Sequence, residues 1–391
     1  MSTNHTSWRP AAAAVFASAW GGNHFTPLLL LYRQHGMSPV QVDSLLGAYV
    51  LGLVPALLLV GPVTERHGRR PVMIAGVVLS LLASGLIAVG STGWIAAGRM
   101  VAGVAVAIAM SVGTTWVSEL SERGGESLAS GARRAALWLT LGFGIGAGVS
   151  GVLAQWGPAP TVLPYAVHAV VAIACLVPLF RVAETREPAP ATPGSSRFVR
   201  ARHPRFLRVV LPMAPWIFGS AGIAYAVMPQ LVAEQVGGNA IAYATLLTVL
   251  TLGAGALVQP VARRLDRTTS ARAVAVSMAA MSAGLVLAGV VAAVRSPWLA
   301  LVAAVVLGSA YGIAVVSGLL EIQRLARPGE MASLTGVYYA LAYSGFLLPA
   351  LLAVSSAVLG YPALLAILVL VALSGTALIV ANTRRFLPAE L

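Results

Sequence analysis

An all-α membrane protein of twelve transmembrane helices, arranged as two pseudo-symmetric six-helix bundles, is the fold class this sequence predicts. Three observations predict it. Of 391 residues, 58% are hydrophobic and only 9% charged; the charges fall in short gaps between long apolar runs; and the second half of the chain echoes the first. Soluble domains carry roughly 25% charged residues, so the polar surface that water requires is missing.

A spanning helix takes roughly 20 mostly apolar residues. Apolar runs predict helices over 10–32, 42–62, 71–90, 94–118, 134–155 and 161–181, then over 208–233, 239–262, 272–294, 297–320, 331–356 and 361–382. Two runs of double length are divided by turn chemistry, at Gln155-Trp156-Gly157-Pro158-Ala159-Pro160 and at Gly360-Tyr361-Pro362. Ala17-Ser18-Ala19 resembles a signal-peptide cleavage site, but the apolar run continues uncharged to Tyr32, so the first helix is expected to be retained.

The formal net charge is +13, and every basic residue is Arg. Placed with the N-terminus inside, the predicted loops carry 22 arginines on the cytoplasmic side and two, Arg33 and Arg295, outside. That bias orients the chain in a cell membrane with both termini cytoplasmic, and it assigns the charge to the bilayer rather than to nucleic acid. A single cysteine, Cys175, excludes a disulfide framework, and the six His residues have no metal-ligand spacing. No cofactor or metal is expected.

The halves divide as 1–181 and 208–391 around a cytoplasmic linker, 182–207, centred on Pro188, Pro190, Pro193, Gly194, Ser195 and Ser196. Thr26-Pro27 recurs as Met228-Pro229 and Pro62-Val63 as Pro260-Val261. Gly113 with Val117-Ser118 recurs as Gly312 with Val316-Ser317, which sets Glu122 opposite Glu321. The offsets of 198 to 202 agree, and parallel six-helix repeats are an architecture of secondary transporters.

Between the second and third helices stands Gly61-Pro62-Val63-Thr64-Glu65-Arg66-His67-Gly68-Arg69-Arg70. It resembles the signature G-x-L-x-D-R-x-G-R-[RK] of the major facilitator superfamily, with Val63 for Leu and Glu65 for Asp. The resemblance covers essentially the whole chain. It implies that Gly61, Glu65, Arg66, Gly68, Arg69 and Arg70 form a conformational latch, Glu65 reaching the start of the eleventh helix; the residues themselves also read as topology determinants. Arg263 stands at the position of Glu65 in the second half, so a matching latch there needs another pairing. Arg99-Met100-Val101-Ala102-Gly103 resembles the R-x-x-x-G segment of proton-coupled members. Gly142, Gly146, Gly148 and Gly151 resemble the glycine-rich segment of antiporters, with Ala147 where that motif has Pro.

Arg99 is the sole Arg inside a predicted span, where it is costly unless paired or facing a cavity, snorkelling to the surface being the alternative. Asn23 and His24 lie near mid-membrane just before Pro27, which frees a backbone carbonyl and favours a kink. His24 is the natural proton carrier by its chemistry, or else a satisfied structural histidine. No carboxylate falls at mid-membrane; Asp43, near the outer end of the second helix, is the remaining acidic candidate and a possible partner of Arg99. Trp20, Trp216, Tyr225, Tyr311, Tyr339 and Tyr343 are candidates to line a largely apolar cavity, as well as ordinary packing residues.

These readings predict a monomeric alternating-access transporter that exports small hydrophobic or amphipathic molecules by proton antiport. Two alternatives are an uptake carrier for a nutrient or metabolite and a non-transporting receptor. An enzyme is not expected, because no nucleophile–base pair, phosphate loop or metal cluster is present.

Overall fold

The computed structural model describes residues 7–186, 199–326 and 331–387. The Pro, Gly and Ser residues at the centre of the expected linker lie outside them. Among the described residues the chain is helical, with no β-strand, and ten helical stretches are long and apolar enough to cross a membrane. The apolar helix Leu163–Leu179 is shorter, at 17 residues.

The first apolar run is divided for a local reason. Helix α1 (Arg9–Asn23) ends in a turn, a 3-10 segment Thr26–Leu28 carries Pro27, and α2 (Leu29–Gln34) resumes. Pro27 has no N–H to continue the ladder. The eleventh predicted helix divides in the same way, with a 3-10 segment Gly345–Leu347 ahead of Pro349.

The loop expected over 61–70 is instead mostly helix. Helix α3 (Pro39–His67) runs straight through Pro55 and Pro62, and α4 (Arg69–Ala88) begins two residues later. Gly68 alone breaks the helix, at φ +87°, a value that Gly adopts without a Cβ clash. The Thr64 hydroxyl donates to the Val60 carbonyl and Gly68 N–H to the Thr64 carbonyl, so the last turn stays bonded despite Pro62.

The remaining helices are α5 (Thr92–Ile108) and α6 (Thr114–Arg123), joined by a π-turn, then α7 (Leu128–Trp156) and α8 (Leu163–Leu179). Next come α9 (Leu211–Gly222), the short α10 (Met228–Leu231) and α11 (Ala233–Val236), and α12 (Ala240–Leu265). Last are α13 (Arg272–Val294), α14 (Pro297–Leu325), α15 (Met331–Ser344), α16 (Leu348–Ser355) and α17 (Tyr361–Asn382).

The chain forms two compact units. The first is Met1–Leu31 with Ala48–Pro193, and the second is Tyr32–Gly47 with Gly194–Leu391. In the first, α1 packs along α7 and α8, and α4 along α5 and α8. In the second, α14 packs along α12 and α13, and α17 along α13.

Both units bring helices close through small residues, as packing in lipid requires when no hydrophobic force joins helices. A Cβ on Gly103 of α5 would run into the backbone of Tyr49 in α3, and one on Gly312 of α14 into the backbone of Gly255 in α12.

Candidate functional site

Helix α1 carries a buried polar constellation in the first unit. Gly21 leaves room for Ser80 of α4 and His168 of α8, because a Cβ there would collide with both. The His168 ring stacks on that of His24, with centroids 5.1 Å apart. His168 is fully satisfied: Nε2 donates to the Ala17 carbonyl (3.0 Å), and Nδ1 accepts from Ser84 Oγ (2.7 Å).

His24 is not satisfied. Its Nδ1 lies 3.1 Å from the Trp20 carbonyl, which can only accept, so Nδ1 carries the proton and Nε2 is a bare acceptor. That Nε2 is buried without a hydrogen-bond partner, and so is the indole N–H of Trp20 one turn earlier. An orphan donor and an orphan acceptor thus stand on one face of α1.

Asn23 has a bracing role. Its amide donates to the Phe143 carbonyl of α7 (3.0 Å), and its oxygen accepts from Thr26 (2.7 Å), tying the break in α1 to α7.

Arg99 is buried at 2% exposure, which removes the snorkelling alternative. It lies one turn before Gly103, on the face of α5 that approaches α3. Its Nη1 donates to the Gly22 carbonyl (2.9 Å), and its guanidinium carbon lies 4.5 Å from the ring centre of Tyr49 and 4.9 Å from that of Phe25. A desolvated cation over two aromatic faces gains electrostatically from both. Asp43 has a different partner from the one considered. In the second unit, Gln230 Nε2 donates to Asp43 Oδ1 (2.9 Å), while Arg33 Nη1 donates to Gln230 Oε1 (2.5 Å). The other Asp43 oxygen is buried without a partner. Gln230 was not legible as a site residue, since Gln carries no charge to mark it.

The candidate aromatics fall into two groups. Trp20 packs edge-on to Phe16 in the first unit. In the second, Phe218 stacks on Tyr343 with centroids 4.0 Å apart and touches Tyr311 and Phe346. Tyr339 adjoins Tyr343, and Tyr225 adjoins Phe346. Trp216 is buried in the same helix as Phe218. Phe346, at the centre of this cluster, was missed because a lone Phe in an apolar run carries no signal.

At the Arg-rich end of the first unit, Glu184 accepts from the backbone N–H groups of Arg69 (2.9 Å) and Arg70 (2.8 Å), closing the N-terminus of α4. Arg69 also pairs with Glu119 at 3.0 Å, and Arg70 donates to the Val182 carbonyl. Glu65 pairs with Arg186 at 3.8 Å within the same unit. Among the described residues Arg66 has no hydrogen bond or ion pair that marks a role, and a Cβ on Gly61 would meet open space. In the second unit the pairing reverses sign, as Arg324 of α14 binds Asp266 and Glu321. Glu321 is also held by Arg205, a residue that sequence reading left among the linker charges.

Of the glycine-rich segment, Gly142 and Gly146 face α1, where a Cβ would meet the Phe16 carbonyl and Trp20 Cα. Gly151 is buried and Gly148 half-buried. Ala147 is fully buried, and α7 continues unbroken past it.

Residues 11–350 match the family model described as Major Facilitator Superfamily. No curated protein matches the chain. Among solved structures, the chain is similar to a D-xylose–proton symporter (TM-score 0.72, 13% identity, covering 98% of each chain). It is similar to a POT family transporter in complex with 5-aminolevulinic acid (TM-score 0.72, 12% identity, 97% of this chain and 96% of that one). It is also similar to the nucleoside transporter NupG (TM-score 0.76, 11% identity, 96% of this chain and 99% of that one). At these identities the likeness is one of fold.

Proposed function

We propose, from the premise that this chain belongs to the Major Facilitator Superfamily and is a transporter rather than an enzyme, that it works as a proton-coupled secondary transporter. In this reading twelve helices cross the cell membrane in two bundles, 1–181 and 208–391, joined by 182–207. The first apolar run counts as one span across its break at Pro27, and Leu163–Leu179 counts as another. Both termini face the cytoplasm, and the protein acts as a monomer by alternating access.

The observation that carries the reading is the orphan pair on α1. Buried polar groups nearly always have a partner in the protein or in ordered water, so His24 Nε2 and the Trp20 N–H, which have none in the protein, are poised for water, a passing proton or a solute. The solute is a small amphipathic molecule, its polar part met by these two groups and its apolar part by the Trp20 ring beside them. Arg99, one carbonyl away at Gly22, tunes the charge of the site.

Export is the favoured direction, supported by the close approach of Gly142 and Gly146 to α1. Uptake is the second reading, favoured by the likeness to a proton symporter. Flux of fluorescent amphipathic compounds in inverted vesicles, with and without a proton gradient, tests both. Gradient-driven accumulation that is lost in Arg99→Ala establishes proton-coupled export. Accumulation only in right-side-out vesicles establishes uptake, and the absence of flux for every ligand that binds points to a receptor.

A further inference from the structure

The third helix of each half starts beside a run of arginines, but the two helix ends are closed differently. In the first half, the Glu184 carboxylate sits on the N-terminus of α4. Helix α13 is the counterpart in the second half, and 200 residues after Glu184, within the range that relates the other repeated positions, stands Arg384. The tether is repeated: Ala271 N–H donates to the Thr383 carbonyl (2.9 Å), fastening the α13 loop to the chain after α17, as Arg70 does to Val182 in the first half. The carboxylate is not. The N-cap residue, Ala271, has no side-chain acceptor, and the first turn of α13 has no acid.

A cavity of about 360 Å³ lies here, lined by Arg267, Thr269, Ser270, Arg272 and Arg384. Its lining holds three guanidinium groups and two hydroxyls and no carboxylate. The three arginines are exposed, and none has an ion-pair or hydrogen-bonding partner for its side chain among the described residues, whereas the nearby acids Asp266 and Glu321 are engaged by Arg324 and Arg205. Three guanidinium groups lining one cavity at an uncapped helix N-terminus favour an anion, and oxygens arranged as in phosphate match the guanidinium fork. The cavity adjoins the ends of the membrane-crossing helices α12, α13 and α17, on the side that the arginine count assigns to the cytoplasm.

We propose that a phosphate-bearing anion from outside the chain binds this cavity, taking the place that Glu184 fills in the first half. An anionic phospholipid headgroup and free phosphate share this chemistry. Basic pockets at the cytoplasmic ends of transmembrane helices suit the former.

The test uses the full chain in two settings. One is nanodiscs of phosphatidylcholine with and without phosphatidylglycerol; the other is detergent with inorganic phosphate against chloride of equal ionic strength. Thermal unfolding and native mass spectrometry are the readouts. Wild type is expected to unfold at a higher temperature with the anion and to retain it. Arg384→Gln is expected to bind about fivefold more weakly. Arg384→Glu rebuilds the internal carboxylate and is expected to lose the response while needing no anion for stability. A response to phosphatidylglycerol alone assigns the lipid, and a response to phosphate as well assigns the soluble anion. Wild type indifferent to both probes, or Arg384→Gln and Arg267→Gln responding like wild type, overturns the proposal even if Arg384→Glu does not fold.

Discussion

Arg205 and Glu321, 116 residues apart in sequence, form a two-bonded ion pair, Nε to Oε2 at 2.6 Å and Nη2 to Oε1 at 2.9 Å, with side chains 0% and 2% exposed. Arg205 also donates to the carbonyls of Thr383 and Arg385. It therefore ties the entry to α9, the end of α14 and the exit of α17 to one another.

Removing one member of such a pair strands the other charge away from water. Glu321→Ala is expected to destabilise the protein by ~3–5 kcal/mol, while the double change Arg205→Met with Glu321→Leu costs far less. Thermal unfolding of the purified single and double variants checks this. Equal losses in the two would argue that the pair is not the source.

The face that α7 turns to α1 has no spare volume at Gly142, where a Cβ would strike the Phe16 carbonyl, whereas a Cβ on Gly144 meets nothing within 4 Å. Gly142→Ala is expected to cost ~1–3 kcal/mol through overpacking, and Gly144→Ala to be neutral or slightly stabilising. Unfolding midpoints of the two variants measured side by side decide the matter.

At Arg99 the planar guanidinium matters as well as its charge, since it bonds the Gly22 carbonyl while lying over Tyr49 and Phe25. Lys cannot reproduce that geometry. Arg99→Lys is therefore expected to lose proton-driven flux nearly as fully as Arg99→Ala while still inserting in the membrane. Full flux in the Lys variant would reduce the role of Arg99 to its charge.

His24→Gln keeps a polar group of similar reach but cannot titrate near neutral pH. The pH dependence of transport is expected to weaken in this variant, because Gln carries no proton that it can exchange, with folding intact. An unchanged profile would make His24 a binding residue rather than a proton carrier. His168→Gln serves as the comparison, because it instead removes ring bonds to Ser84 and Ala17, and its effect should fall on stability.

Much of this molecule was legible before its coordinates. The membrane-crossing helices follow from where apolar runs stop, and the division of the first run follows from Pro27. Arg99 was legible as a charge that must either be buried with partners or snorkel to the surface, and only the structure chose burial. The signature around Glu65 and Arg69 was legible as a motif, but its partners were not: Glu184 and Glu119 come from the segment after α8 and from α6, and nothing local links them to the loop. Gln230 and Phe346 were invisible for the opposite reason, being ordinary residues made important by what packs on them.

By itself, then, the sequence determined that this chain lives in a bilayer as helices, because a backbone in lipid must satisfy its own hydrogen bonds and a run of apolar side chains has no other solvent. The tertiary structure decided which polar groups within those helices are spent and which are left free. His24 and His168 both lie inside predicted spans, yet the ring of His168 is fully bonded and that of His24 keeps a bare nitrogen. That difference depends on the positions of Ser84 and the Ala17 carbonyl, set by the packing of α1, α4 and α8, and hydrogen bonds between distant segments leave no mark on the order of residues along the chain.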